Sequence, residues 1–182
     1  PFMQTLVLAI LAGVFISFGA MFYTVVVTET GLGFGPQRLL GGVCFSLGLI
    51  LVVIGGAELF TGNNLIVMAW ASGKVKTSQI ARNWSVVYVG NAVGAIAVAI
   101  ATYEAGTMWM GDGIVAASAV KIAVAKVQIP FLEAFIRGIL CNALVCLAVW
   151  LCFAAHTVSG KVLSIIFPIA AFVTMGFEHC IA

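Results

Sequence analysis

Charged side chains are scarce in this sequence. Asp, Glu, Lys and Arg together make up 8% of its 182 residues, whereas hydrophobic residues make up 63%. Soluble domains carry about a quarter charged residues, and a water-soluble protein could not cover its surface with so few. The surface must therefore face lipid, which indicates a membrane protein. The formal net charge of +2 is not gathered into a basic patch, so we expect no nucleic-acid partner.

Cysteine pairs with the spacing of metal ligands are also lacking. All five cysteines lie inside apolar runs, and none forms a Cys-x-x-Cys pair: Cys44, Cys141, Cys146, Cys152 and Cys180. This pattern argues against a metal site or a disulfide framework. We expect no metal and no cofactor, and cysteines that pack as small hydrophobic residues.

The sequence does contain five long hydrophobic stretches. They run approximately from Phe2 to Val27, Leu39 to Gly73, Trp84 to Ala101, Ile129 to Ala155 and Val162 to the end. A helix needs about 20 apolar residues to cross a bilayer, so the chain is predicted to be an all-α, multi-pass membrane protein. Basic residues without an acid follow the second stretch, and this charge bias places that connection in the cytoplasm.

Two of the stretches are interrupted. The second is too long for one span and too short for two, and residues 55–64 include glycines, an acid, a hydroxyl and two amides. The fifth has Pro168 in its middle, with Gly176 to His179 after it. Such groups survive at membrane depth only against protein or a water-filled cavity. We therefore predict two broken helices, non-helical at Thr61 to Asn63 and around His179, that approach each other near mid-membrane.

Interrupted helices at corresponding places in two halves indicate a transport site in an inverted repeat. The halves would be helices one to three and four to six, and the chain is predicted to be a channel or transporter for a small solute. The sequence stops within the fifth stretch. We therefore expect residues 1–182 to form a single transmembrane channel domain that is incomplete at its C-terminal side and lacks the sixth helix.

Four segments resemble the formate/nitrite transporter family. They are Ala57 to Asn63 (AELFTGN), Arg82 to Trp84 with Gly90 and Asn91, Cys141 to Trp150 (CNALVCLAVW) and Gly176 to Ala182 (GFEHCIA). The resemblance covers essentially the whole chain and is greatest to the formate channels. It implies an aquaporin-like homopentamer with one pore per subunit in the lipid of the bacterial cytoplasmic membrane. It also implies passage of formate or, alternatively, nitrite or hydrosulfide, and no enzymatic activity.

The resemblance also implies the pore residues. His179 would lie at the centre with Thr61 as its hydrogen-bond partner, and an imidazole that titrates near neutral pH suits proton exchange with a weak acid. By residue type alone, a neutral histidine bonded within the bundle is equally compatible. The family positions that narrow the pore are occupied by apolar side chains: Phe45, Leu49, Leu59, Phe60 and Phe172. Lys126 would concentrate anions at the outer vestibule, where the alternative is a solvated loop lysine.

The two glutamates at the breaks are assigned a structural role. An anion pore should not be lined by carboxylates, so we predict that Glu58 and Glu178 accept hydrogen bonds from exposed backbone N–H groups. The alternative role for Thr61 is to cap a half-helix, which is compatible with its role as hydrogen-bond partner of His179. The remaining polar or flexible residues of the breaks are expected to be structural: Gly62, Asn63, Asn64 and Asn91.

Two other classes of membrane protein fit the sequence less well. A haem-binding membrane anchor usually needs axial histidines on two helices, and only His179 is suitably placed. An intramembrane protease needs a serine–histidine pair or two aspartates in the membrane, and no Asp lies within any hydrophobic stretch. Both remain remote alternatives to an anion channel.

Overall fold

A computed structural model describes residues 2–182, which form helices joined by turns. The helices are α1 (Phe2–Val27), α2 (Phe34–Gly55), α3 (Phe60–Asn63), α4 (Ile66–Ala71), α5 (Thr77–Glu104), α6 (Ile114–Val127), α7 (Phe131–Ala154) and α8 (Val158–Met175), with a 3₁₀ turn at Thr107–Trp109. Five of them, α1, α2, α5, α7 and α8, are long and apolar enough to cross a membrane. The five predicted spans are therefore confirmed.

The first helix break lies slightly earlier in the chain than predicted. Helix α2 ends at Gly55, and Gly56 adopts a left-handed conformation with φ 69°. The chain then stays non-helical as far as Leu59. The prediction that Thr61 to Asn63 would be non-helical was wrong: these residues belong to the short helix α3, because the Asn63 amide already donates to the Leu59 carbonyl at 2.8 Å.

The second break follows α8 and does not involve Pro168. The expected interruption at Pro168 was wrong, since α8 continues through it to Met175. One missing N–H removes one helical hydrogen bond, and membrane helices tolerate such a loss when neighbouring groups compensate. The helix ends instead at Gly176, with φ 76°. The chain from Phe177 through His179 is non-helical, as predicted.

Helices α2 and α8 pack side by side in opposite directions. Arg38, near the start of α2, reaches the end of α8 at Val173, whereas Gly42 lies against Ala170, earlier in α8. A Cβ at Gly42 would lie 2.8 Å from the Ala170 Cα atom, so the glycine permits close backbone approach. Opposite directions for the two interrupted helices are what an inverted repeat requires.

Glycines also bring α1 and α5 into close contact, as their spacing predicts. A Cβ added to Gly94 would lie 2.0 Å from the Ile10 carbonyl oxygen.

We expect Gly94→Ala to lower the free energy of unfolding by about 1–3 kcal/mol, because backbone atoms must move apart. Thermal unfolding in detergent measures this. Gly138→Ala in α7 is the matched control, since its added Cβ would meet only the Glu178 carbonyl at 4.0 Å. Equal melting temperatures for both variants would contradict the packing argument.

Candidate functional site at the two helix breaks

The two breaks meet at Thr61 and His179. The Thr61 Oγ1 atom lies 3.3 Å from Nε2 of His179, and both residues are buried although 118 positions separate them. The backbone N–H of Ile181 donates to Nδ1 of the same ring at 3.2 Å. A neutral ring that accepts at Nδ1 carries its hydrogen on Nε2. His179 is therefore placed to donate this hydrogen to the Thr61 hydroxyl.

Two aromatic rings pack near the ring of His179. The ring centroid of His179 lies 5.9 Å from that of Phe172, nearly parallel, and 6.4 Å from that of Phe45. The two phenylalanine rings contact each other edge to face at 5.8 Å. The structure thus brings Phe45 and Phe172 together with the histidine. Their apolar rings cover part of its surface.

Two cavities lie on either side of the Thr61–His179 pair. The outer cavity, of about 600 Å³, has in its lining Arg38, Lys126, Arg137, Phe172, Glu178 and His179. The inner cavity, of about 440 Å³, is bordered by Leu49, Leu59, Gly62 and Asn63. Phe60 borders neither cavity, because its ring packs against Trp84 and Tyr88 of α5 at 6.2 and 5.2 Å. The structure therefore does not bring Phe60 to the predicted pore residues that line the two cavities.

The outer cavity carries an excess of positive charge. The Lys126 Nζ atom lies 2.5 Å from the Glu178 carboxylate, and a guanidinium nitrogen of Arg137 lies 4.0 Å from the same group. Arg38 also lines this cavity. The lining of this cavity thus contains three cations and one carboxylate, and Arg137 also pairs with Glu133 of its own helix. Lys126 lies in the last turn of α6 and is exposed at the cavity. Its hydrogen bond to Glu178 connects it to the segment that carries His179.

The predicted partners of the two glutamates were wrong. Glu178 pairs with Lys126, and Glu58 accepts from the side-chain amide of Asn63 at 2.6 Å rather than from a backbone N–H group. Several backbone amides of the breaks are already bonded to other groups. The Ala57 amide donates to Val52, that of Glu58 to Leu8 in α1, and that of Phe177 to Phe172.

Asn91 of α5 satisfies the backbone of the first break, as predicted. Its Nδ2 donates to the carbonyls of Ala9 at 2.7 Å and Glu58 at 2.9 Å, and its Oδ1 accepts from the Phe60 amide at 2.9 Å. The side chain is fully buried. Asn63 adds a second link to α5, since its Nδ2 also donates to Asn83 at 3.0 Å. The backbone on either side of Thr61 is therefore held by α5.

Sequence reasoning missed Arg38 and Arg137. Both line the outer cavity, and both donate to carbonyl groups at the end of α8. A signal for Arg137 was present, because it interrupts the fourth hydrophobic stretch and an ionisable residue within a membrane span indicates a functional site. Arg38 gave no such signal, since it stands just before the second stretch as read from hydropathy.

Comparison with known proteins agrees with this arrangement. The formate/nitrite transporter family model matches residues 1–182. The formate channel FocA of Escherichia coli K12 is 45% identical over 99% of this chain and 64% of its own length. FocA of Haemophilus influenzae is 42% identical over 94% of this chain and 61% of its own length. The chain therefore spans less than two thirds of these relatives.

Solved structures give the same result. A pentameric formate channel with formate bound matches with a TM-score of 0.91 at 47% identity, over 99% of this chain and 71% of that one. An ion channel of the FNT family matches with a TM-score of 0.88 at 28% identity, over 98% and 70%.

These matches confirm the predicted all-α channel fold. Together, the bacterial relatives and the five apolar helices support a multi-pass protein of the inner membrane. By its full-length match to the family model and its identity to the formate channels, this chain belongs to the formate/nitrite transporter family.

Proposed function

We propose that residues 1–182 are a transmembrane channel domain that passes small monovalent anions, formate first among them, as part of a homopentamer. The observation that carries this proposal is the buried contact between Thr61 and His179, which lies between the two cavities. Support comes from relatives that are named formate channels and from the likeness to a pentameric channel with formate bound.

Anions first enter the outer cavity. Its excess of cationic groups over carboxylates raises the local concentration of anions and excludes cations. Next to His179 in the lining of this cavity, the rings of Phe45 and Phe172 offer no hydrogen bond. A bare carboxylate is costly to place among such groups, so passage requires a donor or a proton at this point.

His179 and Thr61 supply that donor. While it accepts from Nε2, the Thr61 hydroxyl still has its own hydrogen to donate to an oxygen of the anion. The Nε2 hydrogen reaches the anion only when its bond to Thr61 is given up. Proton exchange requires the neutral ring to gain a second proton at Nδ1, and the Ile181 amide must then give up its hydrogen bond to that atom. The anion passes this point either while paired with the imidazolium or, after taking a proton from it, as the neutral acid. In the second case the ring becomes neutral and regains a proton from water in the outer cavity, which His179 lines. The solute leaves through the inner cavity past Leu49 and Leu59.

Flux measurements in proteoliposomes test this function. Formate, nitrite and hydrosulfide are compared under equal gradients, and we expect formate to cross fastest. Thr61→Val, which removes the hydroxyl at similar volume, should slow all three. Flux no greater than in protein-free liposomes for every anion would refute the proposal. A faster flux of nitrite or hydrosulfide than of formate would assign that anion as the substrate instead.

Lys126→Gln should lower formate flux several-fold at low ionic strength and less at high ionic strength. The substitution removes one cation and leaves the Glu178 carboxylate without its closest partner, so anions are drawn less strongly into the outer cavity. Salt screens such effects, with a Debye length of about 30 Å at 0.01 M and 8 Å at 0.15 M. Lys121→Gln is the control, because Lys121 lies on the same helix outside the cavity lining. Identical rates for both variants at both salt levels would contradict a vestibule role.

A further inference from the structure

Two arginines from different helices meet at the end of α8. Arg38 of α2 donates through Nη2 to the Val173 carbonyl at 2.6 Å and through Nε to the Thr174 carbonyl at 3.2 Å. Arg137 of α7 donates to the Gly176 carbonyl at 3.2 Å. These donors are distant in sequence, since 135 residues separate Arg38 from Val173.

The end of α8 provides a physical reason for both contacts. The last four carbonyl groups of a helix lack helical partners, and they form the negative end of its dipole. The turn at Gly176 satisfies two of these groups, because the Gly176 amide donates to Val173 and the Phe177 amide to Phe172. Arg38 donates to the Thr174 carbonyl and also to the Val173 carbonyl, which the Gly176 amide already bonds. Arg137 donates to the Gly176 carbonyl. Positive charge at this end of the helix is also favourable.

The first break has the same turn without such cations. Helix α2 also ends at a left-handed glycine, and the Ala57 amide donates to Val52 five residues back, as Phe177 does to Phe172. Within residues 2–182, no guanidinium group donates to the carbonyls at this end of α2. Neutral Asn91 holds that break instead. The arginines are therefore particular to the break that carries the histidine.

We propose that Arg38 and Arg137 are positioning residues that fix His179 for transport, a role that rests on the proposed function. His179 follows Gly176 by three residues, so the place of its ring depends on where α8 ends. Arg137 bonds the Gly176 carbonyl before the break and faces the Glu178 carboxylate after it. Arg38 holds the last turn of α8 from the opposite helix. Together they set the approach of Nε2 to the Thr61 hydroxyl.

An arginine that positions His179 and an arginine that only attracts anions have different effects on formate flux. An arginine that only attracts anions would change the half-saturating formate concentration in a salt-dependent way, and lysine would replace it fully. An arginine that positions His179 affects maximal flux at any salt concentration. Lysine replaces it only in part, because an ammonium group lacks the rigid fork that bonds two carbonyls.

A double-mutant cycle separates positioning from general damage to the fold. We expect Arg38→Gln to reduce maximal formate flux by about tenfold, because small displacements of a functional group have large effects on rate. In the His179→Asn background the same substitution should have almost no further effect, since residues that act through one group are not additive. Arg137→Gln should likewise reduce maximal formate flux in the wild type and have almost no further effect in the His179→Asn background. Additive losses in both cycles would overturn the proposal.

Hydrogen–deuterium exchange of the reconstituted protein gives a readout that does not depend on transport. Amides of residues 176–182 should exchange several-fold faster in Arg38→Gln and Arg137→Gln than in the wild type, and Lys121→Gln should leave them unchanged. A wild-type protein without flux would refute the proposed function, while the exchange data would still decide whether the arginines fix this segment. If a glutamine variant does not assemble, Arg38→Lys and Arg137→Lys provide the test. Wild-type exchange and wild-type maximal flux in both lysine variants would overturn the proposal.

Discussion

Formate flux through His179→Asn is expected to be independent of pH between about 5 and 7, the range in which an imidazole ordinarily changes charge. Asparagine keeps an acceptor near the place of Nδ1 for the Ile181 amide, and its amide nitrogen, one bond short of Nε2, still offers a donor on the side of Thr61. It cannot gain a proton in this range, so any proton exchange with formate is lost. Flux is measured in proteoliposomes at fixed formate gradients from pH 4 to 8, and assembly is checked by size-exclusion chromatography.

Glu178→Gln is the matched control for the histidine variant. Glu178 is adjacent in sequence and also lines the outer cavity, and glutamine can still accept a hydrogen bond from Lys126. This variant should retain the pH dependence if the imidazole is responsible for it. A normally assembled His179→Asn protein with the wild-type pH profile would exclude proton exchange at the ring. The histidine would then act as a hydrogen-bonding residue in the constriction.

The spans were predictable because lipid imposes a simple requirement on sequence. A helix that crosses the bilayer must be apolar over about 20 residues, and the five stretches satisfy this without reference to their neighbours. The existence of the breaks was predictable for the same reason, since Glu58 and His179 cannot face lipid. The residues at which each break begins and ends were not predictable. Gly56 and Gly62 are both compatible with a break, and hydrogen bonds from elsewhere decide between them, including those of Asn91.

Pro168 shows how a strong local signal can mislead. Proline removes a backbone donor and usually disturbs a soluble helix. In α8, however, the flanking residues Ile165, Ile169 and Ala170 are buried against the rest of the bundle. This packing holds the helix together despite one missing hydrogen bond. The glycine at 176 ends α8 because its left-handed conformation allows the closing turn.

The candidate site depended on information of a different kind. The pattern of interruptions predicted that the segments around Thr61 and His179 would approach each other, but only the family resemblance predicted a hydrogen bond between these two side chains. The partners of the glutamates were predicted incorrectly, because the amides of the breaks were assumed to be free. Contacts such as that between Arg38 and Val173 depend on how α2 and α8 pack. Hydropathy and spacing contain no information about such contacts.

Asn91→Leu is expected to lower the free energy of unfolding by about 3 kcal/mol or more and to reduce formate flux to the background of protein-free liposomes. The fully buried asparagine makes three hydrogen bonds to backbone groups. Leucine fills a similar volume but bonds none of them, and each buried polar group left without a partner costs about 1–3 kcal/mol. Thr61 follows directly after Phe60, whose amide is one of these groups, so its hydroxyl should lose its fixed place near His179.

Asn64→Leu is the control for this prediction. Asn64 belongs to the same polar segment, but its side chain makes no hydrogen bond within the part of the chain that the structure describes, and it is only partly buried. Thermal unfolding in detergent and flux in proteoliposomes should therefore change much less for Asn64→Leu than for Asn91→Leu. Asn91→Asp keeps the acceptor for the Phe60 amide and loses at least one of the two bonds donated to the Ala9 and Glu58 carbonyls, because a carboxyl group has at most one hydrogen to donate. If Asn91→Leu unfolds at the wild-type temperature and conducts at the wild-type rate, α5 does not hold the first break, and the position of Thr61 must be fixed from the side of His179.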